Sequence, residues 1–438
     1  MDNQNIKAVI PQILLASVGL IAALLAFSPG IVSSDAVVQY QQGVNFHFSD
    51  WAPPIMSFIW SFTDKLLPGS FGMLLLQCLF YWGGFFLLSL AIPPSNKKLS
   101  LAVIAVGFMP FAFGTLGHIW KDVFHAVIWL FAVGLISVGW KTRSSCKFNF
   151  IASVFLLFLG SMFRFNAIFG LLPLVWLLLY RVNITAWKRW AIICLAFPMC
   201  AILLTSFFNY NILHSTKTKA FQSLIVYDLG GITHFANENY FQEQWSSTEE
   251  NTLIKTCYDS RSWNNYAWGN CSFVLKKLVA SGAWDDGSLM KKWVEAIYHE
   301  PVAYIQHRYQ NFMVLLWQPG GVLEDETAPN PYGFKYEKTS IFNVLQNVTD
   351  SLKDTFIFKP GFWLIVSLIF SIYGLLNWKS EIGSLIVSLN VSSFLYLLAY
   401  SFVGVASDFR YAYWSILATS VSVPFILLSI KNRKINRG

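Results

Sequence analysis

The chain has 438 residues, of which 55% are hydrophobic, 17% aromatic and only 12% charged, and its mean hydropathy is +0.49. Soluble domains carry about twice that charged fraction, so this composition excludes an ordinary soluble enzyme or binding module. The formal net charge is +8 at pH 7. Because basic residues recur in short segments between apolar blocks, we interpret this charge as a membrane-topology signal and expect no nucleic-acid partner.

Apolar blocks of bilayer-spanning length recur along the chain and are separated by short polar breaks. They predict an all-α polytopic membrane protein with about ten transmembrane helices. The predicted spans are residues 10–32, 71–92, 99–117, 123–140, 149–163, 167–180, 190–213, 360–378, 382–404 and 411–430. The fifth and sixth are short, but one longer helix would put Arg164 and Asn166 at the bilayer centre, so a hairpin is predicted. The first apolar run is too long for a cleaved signal peptide, and no small-residue cleavage site precedes Asp35.

These spans divide the chain into three predicted parts. A transmembrane module at 1–213 has about seven helices and a first outer loop at 33–70. A mainly helical periplasmic domain follows at 214–358, and three C-terminal transmembrane helices occupy 359–438.

Basic residues in the short loops predict the orientation. If the N-terminus is inside, the inner side holds Lys7, Lys97, Lys98, Lys141, Arg143, Lys147, Arg181, Lys188, Arg189, Lys379, Lys431, Arg433, Lys434 and Arg437. The outer short loops hold only Lys65, Lys121, Arg164 and Arg410. We therefore expect both termini in the cytoplasm.

Cysteine placement agrees with this topology. Cys78, Cys194 and Cys200 fall in predicted spans and Cys146 in an inner loop, which leaves Cys257 and Cys271 in the outer domain. A pair in an oxidising compartment predicts a disulfide, and two buried free thiols are the alternative. No cysteine or histidine cluster has zinc-site spacing, so no structural zinc is expected.

The first outer loop begins with Asp35 and carries Gln39, Asp50 and Trp51 before a proline pair. Its mixture of aromatic and polar residues is typical of a segment that lies along the membrane surface. Asp35 either caps an interfacial helix or has a chemical role. Asp50 either binds acceptor hydroxyls or caps a helix that begins near Pro53.

Three more outer turns combine a cation with other polar residues. They are His118-Ile119-Trp120-Lys121-Asp122, Met162-Phe163-Arg164-Phe165-Asn166 and Ser407-Asp408-Phe409-Arg410-Tyr411. Each cation alone is most simply an interfacial anchor. Together, against the charge bias of outer loops, they predict a phosphate site on the same side as Asp35. A lipid-linked phosphosugar would fit there, with Asp35 as general base for an acceptor hydroxyl and the cations stabilising the leaving phosphate.

At these residues the sequence resembles the GT-C superfamily of polytopic membrane glycosyltransferases. The resemblance rests on an acid after the first span, an aromatic-proline break, the Lys121-Asp122 turn, the Arg164-Phe165-Asn166 turn and a late outer domain. Size and layout are similar to bacterial serotype-converting O-antigen glucosyltransferases, which use an undecaprenyl-phosphate sugar.

The resemblance implies inverting transfer of a sugar, with glucose expected, from a polyprenyl-phosphate donor to an envelope glycan such as O-antigen, a modification of lipopolysaccharide. Asp35 would be the base at a periplasmic site of the bacterial inner membrane. Donor phosphate would lie on Lys121, Arg164 and Arg410. Expected substrate contacts are Gln39, Asp50, Trp51, His118, Asp122, Asn166, Asp408, Tyr411 and His307. Some relatives hold a divalent metal with paired acids, but the first outer loop has no Asp-x-Asp, so no metal or other cofactor is expected.

The outer domain is rich in aromatics, namely Trp245, Trp263, Trp268, Trp284, Trp293, Tyr240, Tyr258 and Tyr266. They suggest an acceptor-saccharide platform, although a small core with a skirt on the membrane explains most of them more simply. The polar helix at 303–310 carries His307 and Arg308, which either reach the pocket or face solvent. A long loop at 319–336 is expected near the cavity.

Two other functions compete with transfer. A transporter or flippase for a lipid-linked sugar would share the basic cavity, but the chain has no internal repeat and no matched pair of broken spans. A polymerase or ligase of lipid-linked glycans would use similar residues with a different acceptor.

Overall fold

The structure, a computed structural model, describes residues 3–138, 146–181, 187–241, 244–320, 323 and 326–435. For some residues named above, the whole residue or its side chain lies outside this part. They are Lys7, Lys141, Arg143, Cys146, Lys188, Arg189, Lys434 and Arg437.

Within the described ranges the chain is helical and contains no strand, only isolated bridges. The helices of the N-terminal part are α1 Asn3–Phe27, α2 Ser34–Asn45, α3 Pro54–Leu66, α4 Phe71–Ala91, α5 Lys97–Val106, α6 Pro110–Phe113, α7 Lys121–Val138, α8 Cys146–Ser161, α9 Ala167–Arg181 and α10 Trp187–Phe207. The middle part contains α11 Gln222–Ala236, α12 Ser247–Lys255, α13 Asn264–Ala267, α14 Phe273–Ala280, α15 Ala283–Asp286, α16 Ser288–His299, α17 Pro301–Trp317 and α18 Ser340–Leu352. The last are α19 Pro360–Leu375, α20 Glu381–Leu398, α21 Tyr400–Val403 and α22 Tyr413–Ile435.

The prediction of an all-α membrane fold is confirmed, and among the described residues each predicted span coincides largely with helix. In the described residues six helices are long and apolar enough to cross a membrane, or up to seven if the pair α5 and α6, bent by 45°, forms one span. The other three predicted spans are the shorter apolar helices α8, α9 and α19. The predicted hairpin is confirmed, because α8 ends at Ser161 and α9 begins at Ala167.

Helix α7 lies at the centre of the main core. It packs against α4, α8, α9 and α22, and α20 joins α9, α19 and α22. A helix that is apolar on all sides is suited to such a buried position. Asp122, near the N-terminal end of α7, lies 3.9 Å from Arg410, in the turn that precedes α22.

A second hydrophobic core extends from Ile225 to Ala303 and is formed by α11 to α17. A disulfide joins Cys257 to Cys271 within it. Helix α17 continues from this core towards α19 and α21, whereas α18 packs on α1 and α6. The second hydrophobic core is thus connected to the helices of the main core by α17, and the segment that follows α17 is connected to them by α18.

Candidate active site

Asp35 is placed beside α7 by a backbone pairing between two outer connections. The Ile31 amide donates to Gly117 O at 3.0 Å, and the Ile119 amide donates to Ile31 O at 2.9 Å. Gly30 allows this approach because its φ of +112° is unfavourable for other residues, and a Cβ there would lie 3.1 Å from the Ile119 side chain. The N-terminal ends of α2 and α7 consequently lie side by side.

The charged residues of the four outer turns form one network, which we call the charge cluster: Asp35, Lys121, Asp122, Arg164, Asp408 and Arg410. Arg164 Nη1 lies 3.1 Å from Asp122 Oδ1. Arg410 Nε lies 3.1 Å from Asp408 Oδ2 and 3.9 Å from Asp122 Oδ2, and Arg410 Nη2 lies 3.6 Å from Asp35 Oδ2. The structure thus brings together the turns that sequence reasoning grouped.

The pairing differs from the expected cluster of free cations. Both arginines already face carboxylates, and three acids balance three bases. The reason is that buried guanidinium groups need a counter-charge where water is scarce. Arg164 and Arg410 are only 13% and 14% exposed.

Exposure separates the three carboxylates. The side chain of Asp122 is 1% exposed and that of Asp408 is 18% exposed, whereas Asp35 is 60% exposed. Asp122 lies beneath the two arginines and is suited to hold them in place. Asp35 is the carboxylate that an acceptor molecule can reach.

Aromatic rings also hold the guanidinium groups of Arg164 and Arg410 in place. Arg164 lies 4.7 Å from the Tyr411 ring centroid and donates a hydrogen bond to the Tyr400 hydroxyl. Arg410 lies 4.7 Å above the Trp120 ring. Cation–π contacts of this kind are worth about 0.5–2 kcal/mol and restrict where the planar fork can point.

Several donors at the cluster lack an acceptor. Lys121 has no ion-pair or hydrogen-bond partner among the described residues, although it lies within Coulomb range of Asp35 and Asp122. Gln39 Nε2 and Trp120 Nε1 are buried and likewise unbonded in the described part of the chain. Gln39 is one helical turn from Asp35 on α2. Unsatisfied buried donors are rare, and an anion would satisfy them.

The described part of the 319–336 loop lies over this region. The Phe409 amide donates to Gly320 O at 2.9 Å, and the Ala328 amide donates to Val32 O at 2.8 Å. Further on, the Phe334 ring packs 4.7 Å from Tyr40 on α2. The loop therefore connects the Asp408 turn with the turn that precedes Asp35, as its composition predicted; Gly321, Val322, Glu324 and Asp325 lie outside the described residues.

Other predicted substrate residues have structural partners instead. His118 is fully buried and stacks 4.1 Å from Trp120, and buried Asn166 donates to Tyr396 O at 3.2 Å. Asp50 accepts from Tyr210 and from the Thr218 amide and hydroxyl at 2.6–2.7 Å. It does not cap α3, whose N-cap is Pro53 without a side-chain bond.

His307 does not reach the charge cluster, and the interpretation that His307 and Arg308 face solvent is wrong, because both side chains are buried. Its Nε2 lies 3.0 Å from Asp228 Oδ1, and both side chains are fully buried. Arg308 contacts the same carboxylate at 2.5 Å and donates to Gly404 O. His307 and Arg308 are buried because α11 supplies Asp228 from within an apolar segment. Gln306 and Gln310 of the same helix are exposed.

Sequence reasoning missed Trp120, Tyr396 and Tyr400 as supports of the site. Trp120 was visible only as a neighbour of Lys121, and the tyrosines look like ordinary interfacial aromatics. The tyrosine spacing of four residues would have placed both on one face of α20 and α21, towards the Arg164 turn.

Among the described residues, no group of three or more histidine, cysteine, aspartate or glutamate side chains could hold a metal ion. The three carboxylates of the charge cluster surround guanidinium groups. Their arrangement therefore fits arginine rather than a divalent cation.

No protein-family model and no curated protein matches the sequence. Solved structures that match include the archaeal oligosaccharyltransferase AglB from Archaeoglobus fulgidus in complex with an inhibitory peptide and a dolichol-phosphate, at 11% identity and a TM-score of 0.41. Another is an oligosaccharyltransferase from Archaeoglobus fulgidus in complex with Zn and sulfate, at 10% identity and a TM-score of 0.42. Each match covers 97% of this chain, which spans about half of the matched chain, 51% and 50% respectively. At these values the likeness assigns neither fold family nor function.

Proposed function

We propose that this chain is a membrane glycosyltransferase that moves a sugar from a polyprenyl-phosphate donor to an envelope glycan. The supporting observation is one exposed carboxylate, Asp35, in a cluster with Arg164 and Arg410, whose side chains are only 13% and 14% exposed, at the ends of apolar helices. The finer assignment, also proposed, is transfer of glucose from undecaprenyl phosphate to O-antigen, with inversion, at a periplasmic site of the bacterial inner membrane.

The donor would lie with its tail in the bilayer and its phosphate near Lys121. Lys121 is the cation of the cluster without a partner among the described residues, and Gln39 Nε2 and Trp120 Nε1 supply further donors. The N-terminal ends of α2 and α7 add a positive potential that favours an anion. Arg164 and Arg410 would act on the phosphate while Asp122 keeps them oriented.

The chemical step needs one base. Asp35 takes the proton of the acceptor hydroxyl as that oxygen attacks the anomeric carbon, and the bond from this carbon to the phosphate oxygen breaks. The electron pair leaves with the polyprenyl phosphate, whose new charge is stabilised by Lys121 and the arginines. No general acid is required because the leaving group is a stable anion.

The test is transfer of radiolabelled glucose from undecaprenyl-phosphate glucose to purified envelope glycolipid by the full chain in membranes. Asp35→Asn keeps the size of the side chain but removes the base, and we expect about a 100-fold or greater loss of kcat with donor binding retained. Asp354→Asn, at an exposed position outside the cluster, is the matched control and should retain full activity. Retention of more than a tenth of the rate by Asp35→Asn would reject Asp35 as the base. Absence of transfer by the wild type would reject the proposed activity.

A further inference from the structure

Three tryptophans form a group at the junction between the first outer loop and the outer domain. We call Trp51, Trp263 and Trp268 the tryptophan shelf. Trp51 lies 5.8 Å from Trp263 and 6.2 Å from Trp268 between ring centroids, and Trp263 lies 5.7 Å from Trp268. The planes of Trp51 and Trp268 are inclined by only 27°, so their faces run nearly parallel.

Exposure within the shelf is graded. Trp263 is 5% exposed and belongs to the second hydrophobic core, whereas Trp51 is 37% and Trp268 is 61% exposed. The buried ring thus supports two rings that present apolar surface outwards. Asn264 and Asn270 belong to the same loop, are exposed, and lie close in sequence to Trp263 and Trp268. An exposed apolar face suits a ligand that has an apolar face of its own.

The shelf is held rigidly. Trp263 and Trp268 lie in the loop closed by the Cys257–Cys271 disulfide. Within it, Asn265 Nδ2 donates to Cys257 O at 2.9 Å and Asn265 Oδ1 accepts from the Asn270 amide at 3.1 Å. A rigid aromatic platform loses little conformational entropy when a ligand stacks on it.

Backbone pairing connects the shelf to the charge cluster. The Trp263 amide donates to Val405 O at 2.9 Å, and the Ser407 amide donates to Arg261 O at 2.8 Å. Ser407 directly precedes Asp408. On the other side, Trp51 directly follows Asp50, which is bound to Thr218. The shelf therefore shares short, fixed connections with the turn that carries Arg410.

We propose that the tryptophan shelf is an acceptor subsite that binds a pyranose ring of the envelope glycan by stacking. This inference rests on the proposed function, because the glycan is the acceptor of that reaction. A pyranose has an apolar C–H face that can stack on the exposed indole faces of Trp51 and Trp268, and its hydroxyls lie around the edge of the ring. A membrane-anchoring role is the competing explanation, since tryptophans also favour the lipid interface.

The experiment measures glycan binding by the full chain in nanodiscs without donor. The probes are delipidated envelope polysaccharide from the cell that makes the chain, and maltohexaose, cellohexaose and chitohexaose. The variants are Trp51→Ala, Trp268→Ala and Trp268→Phe. Tyr298→Ala is the matched control, because Tyr298 is an aromatic residue of α16 that is 81% exposed and lies outside the tryptophan shelf. We expect each alanine to weaken binding about tenfold, Trp268→Phe to retain most of it, and the control to match the wild type.

Two results would overturn the shelf as a subsite: no binding of any probe by the wild type, or alanine variants within twofold of it. Loss of stability in nanodiscs but not in detergent, with glycan binding unchanged, would assign the shelf to membrane anchoring instead. Asp35→Asn distinguishes this proposal from the proposed function, because it should bind glycan normally while failing to transfer sugar. If it transferred at the wild-type rate and the shelf variants still lost binding, the base would be rejected and the shelf would stand.

Discussion

Replacing Asp122 would measure how much its carboxylate contributes to the stability of the charge cluster. Its carboxylate is 1% exposed and lies 3.1 Å from Arg164 and 3.9 Å from Arg410. Asp122→Asn keeps the volume of the side chain and removes one charge, so the cluster changes from neutral to a net charge of +1. Arg410 retains Asp408 and Asp35, whereas Arg164 loses the one carboxylate it contacts among the described residues.

The expected destabilisation can be bounded. At 3.1 Å and an effective dielectric constant of 20, the Arg164 pair has a Coulomb energy of about 5 kcal/mol, which is an upper limit. Breaking a buried pair by removing one partner typically costs about 3–5 kcal/mol. Arg164 keeps its hydrogen bond to Tyr400 and its contact with the Tyr411 ring, each worth about 1 kcal/mol. We therefore expect Asp122→Asn to lower the free energy of unfolding by about 1–3 kcal/mol.

Unfolding in mixed detergent micelles, followed by circular dichroism, would measure this change, and a double-mutant cycle would assign it to the pair. Arg164→Met removes the charge that Asp122→Asn leaves unpaired, so the double variant should be little less stable than Arg164→Met alone. A coupling energy of about 2 kcal/mol is expected. A stability of Asp122→Asn within about 0.5 kcal/mol of the wild type, which is the range for surface changes, would contradict a structural role for the pair. Simple addition of the two single effects would contradict it as well.

Three further predictions concern single features. Lys121→Met should weaken donor binding about tenfold or more with little loss of stability, because Lys121 has no ion-pair or hydrogen-bond partner among the described residues that would be left unpaired; a strongly destabilised variant or unchanged donor binding would contradict this. Burial lowers the pKa of His307 despite its contact with a carboxylate, so the folded chain binds fewer protons than the unfolded one. Stability should then be complete above about pH 6.5 and fall as the pH drops below it, and an unaltered pH slope in His307→Gln would refute the assignment. Replacing Cys257 and Cys271 by serine should destabilise the outer domain by about 3 kcal/mol from loop closure, whereas Cys200→Ser, at an exposed free thiol, should have no such effect.

Much of the fold was predictable because its signals are local. Runs of apolar residues locate the helices whatever they pack against, and the charge bias of short loops groups turns by side of the membrane. That grouping is why Asp35, Lys121, Arg164 and Arg410 were expected together. The hairpin between α8 and α9 followed from the high energy of a charge at the bilayer centre.

The partner of each polar side chain was not predictable, because packing between distant segments decides it. Asp50 binds Thr218, 168 positions along the chain, so its roles as cap or acceptor contact could not be excluded from sequence. In the sequence, the polar residues of α17 resembled a solvated surface. The available signal of a buried partner for His307 was Asp228, an acid within an apolar segment. An acid within an apolar run should prompt a search for a buried cation.

Under the proposed function, charge balance explains why an exposed base lies beside arginines that are already paired with carboxylates. The donor is a phosphodiester with one negative charge, and the released lipid phosphate carries close to two near neutral pH. As the second charge develops, Asp35 takes the acceptor proton and loses its own charge, so the total charge of the site is unchanged during transfer. Arg410, 3.6 Å from Asp35, is then no longer shared with that carboxylate and can turn its charge to the phosphate.

This exchange gives Asp35→Asn a signature that distinguishes a base from a structural ion-pair partner. Asparagine leaves Arg410 less compensated from the start, so the variant should bind the anionic donor at least as tightly as the wild type while losing the chemical step. A carboxylate that served only to hold Arg410 would, when neutralised, loosen the arginine and weaken donor binding and rate together. Measuring the donor dissociation constant and kcat of the same variant separates the two roles, because their effects on donor affinity have opposite signs.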